Sequence, residues 1–148
     1  MRILYVGVDV RSLTPSSGPQ VVNKRNYTLL CSMFKENIDV IVPENIRRGI
    51  IYDWGGKKTF LKALEVKMTE THYDYVFLSQ SLFGTVAKFI KERFFDVKLI
   101  SFFHNIEIQY AKEFIRTSGL LHYPFYLSVK KSERKTVTYS DVCIVLNN

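Results

Sequence analysis

Three features of this sequence have residue types and spacing suited to chemistry: a histidine, a serine–glycine loop and an isolated glutamate. His104 directly follows the apolar run Val97–Phe103 and precedes Asn105-Ile106-Glu107. A histidine in that position can donate or accept a hydrogen bond in a cleft and can change charge near neutral pH. The alternative is a partly buried histidine bonded to a neighbouring backbone carbonyl. The loop Asp9–Gly18 leads into a helix start, where free N–H groups and the macrodipole favour an anion. It carries neither GxGxxG nor GxxxxGK[ST], and Pro19 removes one N–H. A plain strand-to-helix connection is the competing reading of that loop. Glu133 falls among the core-facing positions Tyr126, Val129 and Thr136/Val137 of a helix, so its carboxylate needs a partner; structural pairing with an Arg or Lys is the favoured reading and a catalytic role the competing one. His72 and His122 lie beside turn residues and read as exposed. No HExxH, nucleophile elbow, cysteine–histidine arrangement or metal-ligand cluster is visible.

These residues must be positioned by an alternation of strands and helices. Residues 2–8 form an apolar run continuous enough for a central parallel strand. A helix is predicted from Pro19 to Glu36, with Gly18 as N-cap and with Val22, Leu29, Leu30 and Met33 on one side. Ile38–Val42 reads as the second strand. Ile46–Gly56 reads as a loop with room for a short extra strand, and Lys58–Thr71 as a helix. Asp74–Ser79 is the third strand, Phe83–Phe94 a helix and Val97–Phe103 the fourth strand. Asn105 can cap a helix over 106–117, ended by Gly119, with Glu107 in its first turn. A last helix spans Pro124–Tyr139, and Val142–Leu146 is the final strand. Strands alternating with helices imply right-handed crossovers and a doubly wound, mainly parallel α/β sheet with helices on both faces. In such sheets ligands bind beyond the carboxyl ends of the strands. Here those ends are the loops Asp9–Gly18, Ser79–Leu82 and His104–Asn105, and the tail Asn147–Asn148.

The 148 residues suit one domain with a sizeable core, and 47% hydrophobic with 24% charged residues is a globular composition. Eleven Phe and nine Tyr exceed what one small core holds, so some must face a surface or an interface. Cys31 and Cys143 lack metal or redox spacing and read as buried free thiols, which suits a reducing cytoplasm. No segment is long enough to span a bilayer. The net charge of +7 favours anionic partners, but the basic residues are scattered and no nucleic-acid motif accompanies them. Nucleic acid is not an expected partner.

Taken together, these residues resemble the N-terminal domain of group 1 retaining glycosyltransferases of the GT-B fold. The resemblance rests on the opening strand Met1-Arg2-Ile3-Leu4-Tyr5-Val6, the loop ending Ser16-Ser17-Gly18-Pro19, Phe103-His104-Asn105-Ile106-Glu107, Glu133-Arg134, and Tyr139-Ser140-Asp141-Val142-Cys143-Ile144-Val145-Leu146. It spans essentially the whole chain in order. Ser17-Gly18-Pro19 stands where the family more often has a double glycine, and Leu146-Asn147-Asn148 where it has a serine-bearing end. The resemblance implies a Rossmann-like, acceptor-side domain over residues 1–148. A nucleotide-sugar domain would lie beyond a chain that stops two residues after a strand, as at a domain boundary. It implies hexosyl transfer from a nucleotide sugar to a sugar or lipid-linked acceptor with retention, and no metal or other cofactor. It places His104 at the catalytic position and Ser17, Gly18, Gln20, Asn105 and Glu107 in donor or acceptor contacts.

A second functional class stays open: a stand-alone flavodoxin-like or receiver-like binding domain, or one that has lost catalysis. Against a receiver, paired acidic residues do not follow the first strand. A third feature concerns membranes. Leu120-Leu121-His122-Tyr123-Pro124-Phe125-Tyr126-Leu127 is apolar and aromatic and is followed by Lys130, Lys131, Arg134 and Lys135. The stretch suggests peripheral contact of a cytoplasmic protein with the anionic inner face of a membrane. A helix packed on its own core is the competing reading.

Overall fold

The first apolar run becomes β1 (Ile3–Val6), buried along its whole length and hydrogen-bonded on both sides. The computed structural model describes residues 1–11, 14–43 and 53–146. Four further strands, β2 (Ile38–Ile41), β3 (Tyr75–Leu78), β4 (Lys98–Phe103) and β5 (Val142–Val145), complete an all-parallel sheet in the order β2-β1-β3-β4-β5. Ile3 pairs with Ile38 on one side and Tyr75 on the other, which fixes the register at the switch in strand order. This is a Rossmann-like doubly wound α/β sheet.

Side-chain alternation along β1 sorts the helices onto two faces. Ile3 and Tyr5 point to α1 (Gly18–Phe34), whose Val22, Tyr27, Leu30 and Phe34 cover them. Leu4 and Val6 point to the opposite face, covered by Phe60, Leu64 and Met68 of α2 (Lys58–Glu70) and Val86, Ala87 and Ile90 of α3 (Gly84–Arg93). Helix α4 (Glu107–Ser118) packs against α5 (Tyr123–Tyr139), with Ala111, Val129 and Leu82 at the centre of their contact. A single 3-10 turn, Leu120–His122, links the two after Gly119, whose φ of +94° suits glycine.

Several sequence expectations are corrected. Ser17, not Gly18, is the residue before the first turn of α1, because Pro19 suits N2 as well as N1. Leu29 and Met33 of that helix are exposed, and its inward face carries the buried Asn23 and Asn26 instead. The apolar and aromatic residues on the inward side sit at 22, 27, 30 and 34, and the two asparagines fill the gap between them at helical spacing. Cys31 is half-buried, and Cys143 is exposed because β5 is an edge strand exposed along its whole length. Most of the stretch 46–56, with its short extra strand, lies outside the described residues. Among those described, no helix is long and apolar enough to cross a membrane.

Candidate functional site

The carboxyl ends of β1, β3 and β4 converge on one polar cluster. Behind β1, Gly7 is needed by a close approach: a Cβ there would lie 2.6 Å from that of Ser79, which follows β3. Only a hydrogen side chain lets the two strand ends meet, and their contact closes the crevice at the strand-order switch. Ser79 Oγ and the Tyr5 hydroxyl are buried beside each other. Burial pushes the Tyr5 phenol up to about 12.

His104 follows β4 and reaches across this junction. Its Nε2 lies 3.0 Å from the Ser79 carbonyl oxygen and 3.0 Å from Asn23 Oδ1 on α1. Both partners are acceptors, so Nε2 carries the proton and Nδ1 is left as a lone-pair acceptor, buried and without a partner among the described residues. Burial pushes the imidazole below the usual histidine range, opposed in part by the Ser79 carbonyl. The ring is therefore neutral at pH 7. Phe102 meets it edge to face with ring centroids 5.0 Å apart. Sequence position located His104. It gave no sign that the same nitrogen would tie β3 to α1, because those partners are 25 and 81 residues away.

The loop after β1 is held by its own charges. Arg11 donates to both carboxylate oxygens of Asp9, at 3.0 and 2.7 Å, and Lys24 Nζ donates to the Val10 and Arg11 carbonyls at 2.6 and 2.8 Å. The Arg11 hydrogen bonds hold the Asp9 carboxyl down to about 2. Farther along, Gln20 Oε1 accepts from Ser16 N and Ser16 Oγ, so its side chain is spent on the loop. Ser17 and Gly18 are exposed. Ser17 makes no side-chain cap, no hydrogen bond among the described residues uses the N–H of Gly18 or Gln20, and a Cβ on Gly18 would meet nothing within 4 Å. The N-terminus of α1 is open.

The helices after β3 and β4 are arranged differently. Asp53 accepts from Thr85 N at 3.1 Å, from the Thr85 hydroxyl and from Ser132 Oγ at 3.1 Å, which supplies α3 with an anion. Glu133, 3% exposed, accepts from Glu107 N at 3.0 Å and Ile108 N at 3.1 Å. Its partner is thus the first turn of α4, not an Arg or Lys: two backbone N–H groups and a helix dipole neutralise a buried carboxylate without a cation. Asn105 is exposed and does not cap α4, whose start is taken by Glu133 from outside. Glu107 is half-buried, with its N–H committed to that bond.

The structure thus brings His104, Asn23, Ser79, Tyr5 and Gly7 together and sets the open turn of Ser17 and Gly18 above them on α1. Asn23 lies five residues into the helix from Gly18, about 8 Å along its axis. Asn105 and Glu107 lie on the α4 side of His104, with the Glu107 N–H turned to Glu133. Gly7, Asn23 and Tyr5 went unrecognised in the sequence, and Ser79 was marked only as the start of a strand-end loop. The available signal was a glycine immediately after a fully apolar strand. Among the described residues no group of three His, Cys, Asp or Glu side chains could hold a metal ion. No protein-family model, curated protein or solved structure matches this chain.

Proposed function

We propose that this is the acceptor-side domain of a retaining glycosyltransferase, which works with a nucleotide-sugar-binding domain to move a hexose onto a sugar or lipid-linked acceptor. The observation that supports this most is the pairing of an open helix N-terminus with a neutral histidine about one and a half turns below it. A departing diphosphate needs N–H donors and positive potential, which the Gly18 and Gln20 amides at the start of α1 supply. A sugar hydroxyl needs an acceptor, which Nδ1 of neutral His104 supplies. Nδ1 is covered, so the contact requires a local opening of the junction. The apolar, exposed edge strand β5 offers a second domain a surface to pack on.

The test is sugar transfer by the protein expressed from its complete reading frame, with UDP- and GDP-hexoses as donors. His104→Ala is expected to lower kcat about 10²-fold with donor affinity little changed. It should also lower the melting temperature, because His104 bonds α1 to the end of β3. Unchanged kcat removes His104 from the site. No transfer from any such donor overturns the function.

The strand order also occurs in flavodoxin- and receiver-like domains, which supports a binding domain as the second reading. A receiver would use the acidic residue after β1 to hold a cation. Here Asp9 is spent on Arg11.

A further inference from the structure

We propose that the α4–α5 corner docks on an anionic lipid bilayer, with Leu120 and Leu121 entering the headgroup region and the outer face of α5 lying along the lipid phosphates. This stands independently of sugar transfer. Leu120 and Leu121 are 81% and 94% exposed, although apolar neighbours lie close by. Phe114, His122 and Phe125 form an aromatic base beneath the turn, with Phe114 4.8 Å from the His122 ring and 5.6 Å from that of Phe125. The turn is therefore fixed by packing, and it holds both leucines outward when burying one would stabilise the fold.

The exposed line continues onto α5 through Tyr123 and Leu127, and then becomes basic. Leu127, Lys130, Lys131, Arg134 and Lys135 share one open depression along the helix. Leu127, Lys131 and Arg134 lie opposite the buried face of Val129, Ser132, Glu133 and Thr136, and the half-buried Lys130 and Lys135 flank it. Among the described residues none of these four cations has an ion pair; Lys130 lies over the Tyr126 ring at 5.5 Å. The one acidic residue of α5, Glu133, faces inward and is committed to α4. An apolar head followed by an acid-free basic stripe is the arrangement of a helix that lies in a membrane interface. A nucleic acid would satisfy the cations but would give two outward leucines nothing to enter, so the bilayer is favoured.

The experiment is co-sedimentation of the chain with vesicles of phosphatidylcholine alone or with roughly a third phosphatidylglycerol, at low salt and at roughly 0.5 M salt. Wild type should partition onto anionic vesicles and not neutral ones, with the difference shrinking in salt. Lys130→Glu/Lys131→Glu/Arg134→Glu should weaken binding by about 10²-fold, since each cation near such a surface contributes roughly a fivefold factor. Leu120→Ser/Leu121→Ser should weaken it about tenfold or more, with the melting temperature unchanged because neither side chain is packed. Leu121→Trp should retain binding and show a blue-shifted emission on anionic vesicles. Equal recovery with both lipids, no recovery, or binding indifferent to the leucine substitutions would overturn the proposal. So would tighter binding of wild type and the leucine variant alike to a single-stranded oligonucleotide, which would mark the stripe as a polyanion site.

Discussion

Helices α1 and α4 both begin where a strand of the parallel sheet ends, yet α4 receives the carboxylate of Glu133 whereas α1 receives no acidic group from the described residues. At α4 the anion is internal, buried and fixed by residues from another helix. At α1 the first turn faces open space and its loop spends Asp9 on Arg11 and Gln20 on Ser16. A helix start that is satisfied from within contributes to stability. One left unsatisfied gives up that stabilisation and retains the capacity to take an anion from outside. The two ends thus divide the labour of the sheet edge: α4 and α3 hold the scaffold, and α1 is available for a ligand.

The comparison breaks most visibly at Glu133. Glu133→Ala removes two hydrogen bonds to a buried carboxylate and should cost roughly 3 kcal/mol, a fall in melting temperature of roughly 6–12 °C. Glu133→Gln keeps one acceptor and should cost about half as much. Thermal melts of both variants check this, and a Gln variant as stable as wild type would mean that the charge contributes nothing to α4. Two glycines extend the contrast. Gly7→Ala forces a Cβ against Ser79 and should destabilise by about 1–3 kcal/mol in urea titration. Gly18→Ala meets open space and should be neutral or stabilising by up to about 1 kcal/mol. Equal costs at the two positions would erase the distinction between closed and open ends.

His104 sharpens the comparison through pH. Its folded pKa is depressed by burial, so below the ordinary histidine value the unfolded chain binds the proton first. Its contribution to stability is complete above that value. As pH falls below it, and on through the folded pKa, the contribution is lost. Melting temperature should therefore decline as pH is lowered from 7 to 5, and His104→Gln should flatten the decline. An unchanged slope in the variant would place the titrating group elsewhere.

The strands and helices were legible because each writes a local signal: the runs at 3–6, 75–78 and 142–145 are apolar throughout, 98–103 is apolar but for Lys98 and Ser101, and all became parallel strands. Locality also explains the failures. Asn105 has the composition of a helix cap, but the cap comes from Glu133, 26 residues away from the amide it holds at 107. Glu133 itself was visible as a carboxylate on an apolar face, while its partner was not, since backbone N–H groups leave no mark in a sequence. His104 was found from its place after a strand. Its bonds to Ser79 and Asn23 depend on the order β2-β1-β3-β4-β5, which element order alone does not specify. The apolar β5 was read correctly as a strand, but its exposure follows from being at the edge.

The smallest expected effect isolates the open end most directly. Ser17 precedes α1 with φ −144° and ψ 158°, the extended geometry from which a short acidic side chain reaches the first-turn amides. Ser17→Asp should give α1 what Asp53 and Glu133 give α3 and α4: an acceptor for the Gly18 or Gln20 N–H side of the turn and a negative charge at the positive end of the dipole. The expected gain is about 0.5–1 kcal/mol in urea titration. If α1 serves a phosphate-bearing donor, the same substitution must repel it, so the more stable variant should turn over nucleotide sugar more slowly and with weaker donor binding. A gain in stability with activity intact would show that the turn is open without being used. No gain at all would mean that the turn is already satisfied, and the contrast with α4 would fall.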